Sequence, residues 1–317
     1  MKILHNDKDN VNQETMKDDL KEEVTNLEIV NDISPSISPI FYRCGETNDG
    51  KMFIAMEHIE ENLDNTLKAN CSRTMEYRLH MYADLLCKLK QLHAKNIAHC
   101  DLKPQNIGHD SESGFKLLDL GIMAKNEKCG SGTPYYMAPE VAKYDTSSKD
   151  IASDIYSLGL IFFDIEDNCN GRILEKNYMI NENLSSNLIS TLDKIKNGSV
   201  ERNKNYWEGS LFYDFRVTFL NVMFRVLYSM VGMEANERPD AVQLFITFSM
   251  LEKTYGDVAN MKSLSQKNKD YFNKLTEILN KLDTEKMNKL NKDELLELHN
   301  ILKDELEQKN KKDMYII

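Results

Sequence analysis

The chain has 317 residues, 41% hydrophobic and 29% charged, a balance that suits one large or two moderate soluble domains. Its formal net charge of -11 and pI near 5.2 exclude a generic nucleic-acid binder, because nothing overall attracts a phosphate backbone. The six cysteines are scattered with no C-x-x-C pair, so reduced thiols are expected rather than disulfides or zinc ligands.

In chain order, the opening "MKILHNDKDN" is charged where a secretory leader needs an apolar core. "MKDDLKEEVTNLEIV" then spaces Leu20, Val24, Leu27 and Val30 as on one face of a helix, which "SPSIS" breaks. "SPIFYRCGETNDGKMFIAMEHI" reads as a hairpin, two β-rich runs around the turn residues of "GETNDG". From Thr74 to about Lys95 an amphipathic helix carries Tyr77, Met81, Leu85, Leu89 and Leu92 on one side. The polar loop "IAHCDLKPQNI" follows, and "NIGHDSESGFKLLDLG" then gives two short strands ending in Asp119-Leu120-Gly121. "SDIYSLGLIFFDI" is apolar nearly all round and so a buried helix. Residues 211–231 and 240–252 give two more helices around the loop "ANERPD". After about residue 255 the chain turns Lys/Glu/Asn-rich with apolar residues at helical spacing, an appended helical tail. The longest apolar runs, "LGLIFF" and "LFITF", are too short to span a membrane. A soluble, cytoplasmic protein is expected, with the nucleus as the open alternative.

Phosphoryl transfer asks little covalent work of a protein. It needs positioning, metal ions against the phosphates, and a carboxylate that orients and deprotonates the attacking hydroxyl. In this chain His99-Cys100-Asp101 is followed at the required spacing by Asn106, with Lys103 between. Asp119-Leu120-Gly121 comes one hairpin later, then "GTPYYMAPE" from Gly132 to Glu140, "SDIYSLG" and Arg238. Taken jointly and in this order, these motifs resemble those of the protein-kinase family over roughly residues 1 to 254.

That resemblance implies an α+β, bilobal kinase-like fold with a small β-rich lobe, a large helical lobe and a helical C-terminal tail. It implies a kinase domain over 1–254, with 1–59 as partial small lobe and hinge and 60–254 as large lobe, then a tail over 255–317. It makes Asp101 the catalytic base and has Lys103 neutralise charge on the transferred phosphate. Asn106 and Asp119 would hold magnesium ions beside ATP, and the backbone groups of Glu57 and Ile59 would bind adenine, with Met56 at the back wall. His99 would pack under the loop, Asp154 would anchor its backbone, and Glu140 would pair with Arg238. Lys103, with Thr133 before "PYYMAPE", resembles serine/threonine kinases, so ATP, Mg2+ and a protein substrate are implied, with no nucleic acid and no membrane.

The departures carry their own expectations. Leu120 replaces the phenylalanine of D-F-G and leaves the metal ligand alone. Cys100 stands where many kinases have an arginine that receives an activation-loop phosphate, and Cys129 lies roughly where that phosphorylated residue would be. No phosphorylation switch is therefore expected there, with Ser131 as the remaining candidate, and Cys100 is read as a small space-filling residue. Upstream, no glycine precedes Gly45, so the G-x-G-x-x-G-x-V loop has no counterpart. "MKIL" resembles the end of the lysine strand, which makes Lys2 the nucleotide lysine, Glu23 its helix partner with Glu22 as the alternative, and Leu27 a core residue. The first strands of the small lobe are then missing from the sequence, as in a truncated record of a longer kinase or a degenerate one. A pseudokinase or scaffold is the alternative function.

The tail also fits a calcium loop in part, with Asp283, Glu285, Asn291 and Glu294 at positions one, three, nine and twelve and Leu290 at the eighth. Met287 takes a ligand position and Asn288 that of the turn glycine. A helical hairpin capped by Asn291 is the preferred reading. A third has the apolar stripe dock on the kinase domain or a partner helix.

Overall fold

The structure, a computed structural model, describes residues 2–3, 13–48, 51–68, 74–111, 114–125, 132–142, 150–169, 219–220, 222–224 and 226–259. β1 (Lys2–Ile3) precedes α1 (Gln13–Ile33), whose inward face carries Leu20, Glu23, Leu27 and Val30 at intervals of three and four. The helix stops at a loop with Pro35 and Pro39, which cannot donate to a continuing ladder. β2 (Phe41–Glu46) and β3 (Met52–Met56) form the expected hairpin, bulged between Phe41 and Arg43. β1 pairs with the other edge of β3, Lys2 opposite Ile54 and Ile3 opposite Phe53, so the order is β1-β3-β2. Ile54, central in this sheet, is fully buried.

β4 (Glu61–Asn62) leads into α2 (Leu63–Lys68), which starts where Asn62 Oδ1 accepts the Asn65 N–H at 3.0 Å. Thr74 Oγ1 caps α3 (Met75–His93) in the same way, accepting the Tyr77 N–H at 3.2 Å. α3 gives way to a turn in which Asn96 takes φ 54°, a left-handed conformation asparagine tolerates. β5 (Ile97–Ala98) follows, then a single 3-10 turn at Pro104–Asn106, β6 (Ile107–Asp110) and β7 (Gly114–Leu117). β4, β6 and β7 form an antiparallel sheet in that order, and β5 pairs with β8 (Ala124–Lys125). α4 (Pro139–Ala142) and the buried α5 (Asp150–Cys169) complete this stretch.

The described chain divides into two compact units. One draws on residues 1–71, 87–161 and 233–236 and contains all three sheets. The other draws on 72–86, 162–232 and 237–317. The second unit is held by an aromatic cluster: Tyr82 stacks on Phe162 with centroids 4.0 Å apart, and Phe248 meets both edge-on at 5.5 and 5.8 Å. Beside it the buried Glu166 carboxylate accepts from Arg78 Nε at 2.8 Å, Arg78 Nη2 at 3.2 Å and Tyr82 Oη at 2.7 Å. Its last described helix, α6 (Ala241–Ala259), opens on a reciprocal cap between Asp240 and Gln243, at 2.8 and 2.9 Å, and continues past residue 255. The architecture is α+β, as expected. Among the described residues no helix is long and apolar enough to cross a membrane. Cys129, Ser131 and the calcium-loop candidates Asp283, Glu285, Asn291 and Glu294 lie outside the described residues.

Candidate active site

The loop after β5 is built around one buried carboxylate. Asp154 on α5, 1% exposed, accepts the His99 N–H at 2.8 Å, the Cys100 N–H at 3.0 Å and His93 Nε2 at 3.0 Å. These charge-assisted bonds support a left-handed backbone at Cys100, φ 68°, where a residue with a Cβ is strained by about 1–2 kcal/mol. His99 is fully buried, and its two ring nitrogens have different partners. Nδ1 faces the Asp101 N–H at 3.4 Å and Nε2 faces the Leu118 carbonyl at 3.0 Å, which assigns Nε2 as the protonated nitrogen. His99 thus ties the residue bearing the candidate base to the residue before Asp119. Its structural role and the anchoring role of Asp154 match the sequence reading.

Cys100 departs from it. Cys100 is disulfide-bonded, its partner's side chain lying outside the described residues, while Cys44 and Cys87 are free thiols. The spacing rule that favours reduced thiols sees only neighbours along the chain, whereas a disulfide needs only closeness in the folded chain.

The Asp101 carboxylate is the centre of the site. Its Oδ2 accepts Lys103 Nζ at 2.6 Å and Asn106 Nδ2 at 3.0 Å, and its Oδ1 accepts the Thr133 N–H at 2.9 Å and the Thr133 hydroxyl at 2.7 Å. Lys103 Nζ also reaches Thr133 Oγ1 at 3.0 Å, closing a triangle of three side chains. Burial pushes the Asp101 pKa up, but the hydrogen bonds from Lys103 and Thr133 and the Lys103 charge outweigh it and hold the carboxyl below its ordinary value. The group is ionised at neutral pH. Gly132 precedes Thr133 at a close approach: a Cβ there would lie 3.0 Å from the Cys100 carbonyl oxygen, so a side chain would push the two backbones apart by a few tenths of an ångström.

Asn106 is buried, and its amide nitrogen also donates to the Asp101 carbonyl at 2.9 Å. Its backbone carbonyl accepts the Leu118 N–H at 2.8 Å, joining the loop to the segment that carries Asp119. Asp119 is exposed and takes φ 57°, left-handed like Cys100. Leu120 is buried, and its carbonyl accepts Asn26 Nδ2 of α1 at 2.8 Å. The side-chain oxygen of Asn106 and the exposed carboxylate of Asp119 are hard donors of the kind Mg2+ takes, which needs only one or two protein ligands when substrate phosphates supply others.

On the hinge, the Glu57 N–H is already given to the Ile40 carbonyl at 2.8 Å. The Glu57 N–H is thus engaged within the protein. Ile59 lies over β6, since a Cβ on Gly108 would come within 2.6 Å of Ile59 Cγ2 and 3.2 Å of the Leu118 methyls. Lys2 stands on β1 beside Ile54, its side chain outside the described residues. Glu23 is buried and Glu22 exposed, which favours Glu23 as the inward-facing partner, and Leu27 packs in the core. Glu140 and Arg238 are both buried, and Arg238 Nε donates to the Gly232 carbonyl at 2.8 Å.

The structure therefore brings Asp101, Lys103 and Asn106 into direct contact and links Asp119 to them through the backbone. Asn26 and His93 were not singled out from the sequence. Asn26 sits at core spacing one residue before Leu27, a polar residue on an inward face, and His93 ends α3, signals too ordinary to stand out.

A family model described as the protein kinase domain matches residues 1–247. The chain belongs to the protein kinase family. Among curated proteins, it is 35% identical over 132 residues to the serine/threonine-protein kinase RUNKEL of Arabidopsis thaliana, covering 39% of this chain and 10% of that protein. It is 36% identical over 133 residues to a membrane-associated tyrosine- and threonine-specific cdc2-inhibitory kinase of Drosophila melanogaster, covering 39% of this chain and 24% of the relative. A probable serine/threonine-protein kinase, mkcE of Dictyostelium discoideum, is 26% identical over 204 residues, 63% of this chain and 26% of the relative. The matched part of the chain thus spans between about a tenth and a quarter of these relatives' lengths. Protein kinases generally use ATP and Mg2+.

Proposed function

We propose that this chain is a serine/threonine protein kinase, transferring the γ-phosphate of ATP to a hydroxyl of a protein substrate. The observation that carries the reading is the triangle of Asp101, Lys103 and Thr133, with contacts of 2.6 to 3.0 Å. Asp101, ionised and fixed at both oxygens, orients the substrate hydroxyl and takes its proton as the bond to phosphorus forms. A positioned carboxylate of this kind contributes about 10²–10⁴-fold. Lys103 Nζ stands beside that carboxylate and offsets charge on the phosphoryl group in transfer. Asn106 and Asp119 would hold magnesium, which when bound neutralises charge on the β- and γ-phosphates. Adenine would meet the backbone carbonyl of Glu57 and the backbone of Ile59, with Met56 behind it. Lys2, paired with Glu23, would reach the phosphates.

The test is Mg2+-dependent transfer from ATP to a generic protein substrate by the full chain, with identification of the phosphorylated residue type. Phosphoserine or phosphothreonine is expected, and Asp119→Ala should abolish transfer while leaving the far-UV circular dichroism unchanged, with the melting temperature lowered by only a few degrees because alanine tolerates the left-handed backbone less well than aspartate. Transfer that survives in that variant would refute the metal assignment. A parent chain that neither binds nor uses ATP would point to the scaffold function.

A further inference from the structure

β7 carries a lysine, Lys116, that is only 3% exposed. A buried ammonium is costly unless each of its three protons finds an acceptor. Here Nζ donates to the Pro35 carbonyl at 2.8 Å and the Ser38 carbonyl at 3.4 Å, and pairs with Glu57 Oε2 at 3.2 Å. The two carbonyls belong to the loop after α1, and the carboxylate to the hinge. Lys116 is also three residues before Asp119 on the same segment.

The hinge end of this link is held twice more. Glu57 Oε2 accepts the Ile40 N–H at 3.0 Å, while the Glu57 N–H donates to the Ile40 carbonyl at 2.8 Å. Residue 57 is thus clamped to residue 40 through main chain and side chain at once. The loop carrying Ile40 is itself tied down. The Leu117 N–H donates to the Ile37 carbonyl at 2.7 Å, and Asn31 donates to Ser38 Oγ at 2.9 Å and accepts the Phe41 N–H at 2.7 Å. Lys116 closes this ring of contacts between the strand that leads to Asp119 and Glu57, the residue whose carbonyl would meet adenine in the kinase reading.

A salt bridge that served stability alone would be an expensive device, since apolar residues of similar volume often do as well. The placement offers another reason. The Glu57 carbonyl leaves from a residue held at its N–H by the Ile40 carbonyl and at its carboxylate by the Ile40 N–H and the charge on Lys116, so the position of that residue's Cα, from which the carbonyl projects, depends on these contacts. We propose that Lys116 is a positioning residue for the nucleotide, acting through the Glu57 carboxylate to hold the adenine-binding edge of the hinge in register with Asp119. This rests on the kinase reading above, because it assumes that the base meets Glu57 and Ile59.

The experiment compares the full chain with Lys116→Met, Lys116→Arg and, as a control for a buried pair elsewhere, Glu166→Gln. Each is measured for Mg·ADP affinity by calorimetry, for KM of ATP and kcat, and for melting temperature. The expected result is a rise of at least about fivefold in both Kd and KM for Lys116→Met, a share of the charge-assisted hydrogen bonding removed, with kcat within about twofold. Lys116→Arg should recover most of the affinity, while Glu166→Gln should lower the melting temperature and leave the affinity alone. Unchanged affinity in Lys116→Met, or a loss no larger than the control shows at equal destabilisation, would overturn the inference and leave the kinase reading standing. A parent chain that fails to bind Mg·ADP would overturn both.

Discussion

Asp154→Asn is the sharpest perturbation of the catalytic loop, because it keeps shape and removes one acceptor. Asp154 Oδ2 accepts His99 N–H and His93 Nε2, and Oδ1 accepts the Cys100 N–H. An asparagine preserves most by leaving its oxygen at the first position, which turns its NH2 toward the Cys100 N–H across 3.0 Å. Two donors then face each other in a site where residue 154 is 1% exposed. Losing a hydrogen bond to a charged group costs about 1.5–3 kcal/mol, and the two bonds that survive weaken from charged to neutral. The sum is about 2–4 kcal/mol, a large fraction of an ordinary domain's stability. The bond lost is also the one that supports the left-handed backbone at Cys100, next to Asp101, so the carboxylate moves off its mark. Urea unfolding followed by circular dichroism should show a lower midpoint with unchanged slope, and kcat should fall at least about tenfold. A loss below about 0.5 kcal/mol with kcat intact would refute the reasoning, since it would mean that the three contacts do not hold the loop.

Other perturbations test other parts of the site. Lys103 lowers the Asp101 pKa, so Lys103→Met should move the acid limb of kcat/KM to higher pH, as well as lowering its plateau. The sign for stability follows the same group. With its folded pKa depressed, Asp101 contributes stability fully above its unfolded value near ~3.9 and loses it as pH falls through the folded pKa, and this contribution should shrink in the variant. An acid limb that stays in place would refute the coupling between Lys103 and Asp101. Gly108→Ala puts a methyl 2.6 Å from Ile59 Cγ2, a branched side chain with little room to give. Overpacking of this kind costs about 1–3 kcal/mol, and the displaced hinge should raise KM for ATP more than it lowers kcat. An unchanged KM would show that Ile59 does not position the nucleotide.

Much of this site is legible in the sequence because its chemistry is local. Asp101, Lys103 and Asn106 lie within one turn of loop, and Pro104 opens the 3-10 turn that folds Asn106 back onto Asp101. The two strands before Asp119 follow from the short runs on either side of a Ser/Gly turn, and they appear as β6 and β7. What the sequence hides depends on distant partners. Asn26 reaches Leu120 across 94 positions, and Lys116 reaches Pro35 across 81, with no local pattern to announce either. Lys116 reads as an ordinary charged residue in a short strand and becomes notable only once three acceptors surround it. The disulfide at Cys100 belongs to the same class. Helix ends were equally hard to read: α6 continues through Ala259, beyond the change of composition near 255, because a new composition need not break a helix.

The most direct measurement compares phosphate transfer from labelled ATP to a generic protein substrate by the full chain and by its Asp101→Asn variant. The substitution keeps shape and an acceptor oxygen for Lys103 or Thr133 but removes the proton-accepting carboxylate. The account predicts transfer by the parent that falls by about 10²-fold or more in the variant, with Mg·ADP affinity unchanged. Transfer of equal rate by both proteins would contradict it, because the carboxylate at the centre of the site would then take no part in the reaction.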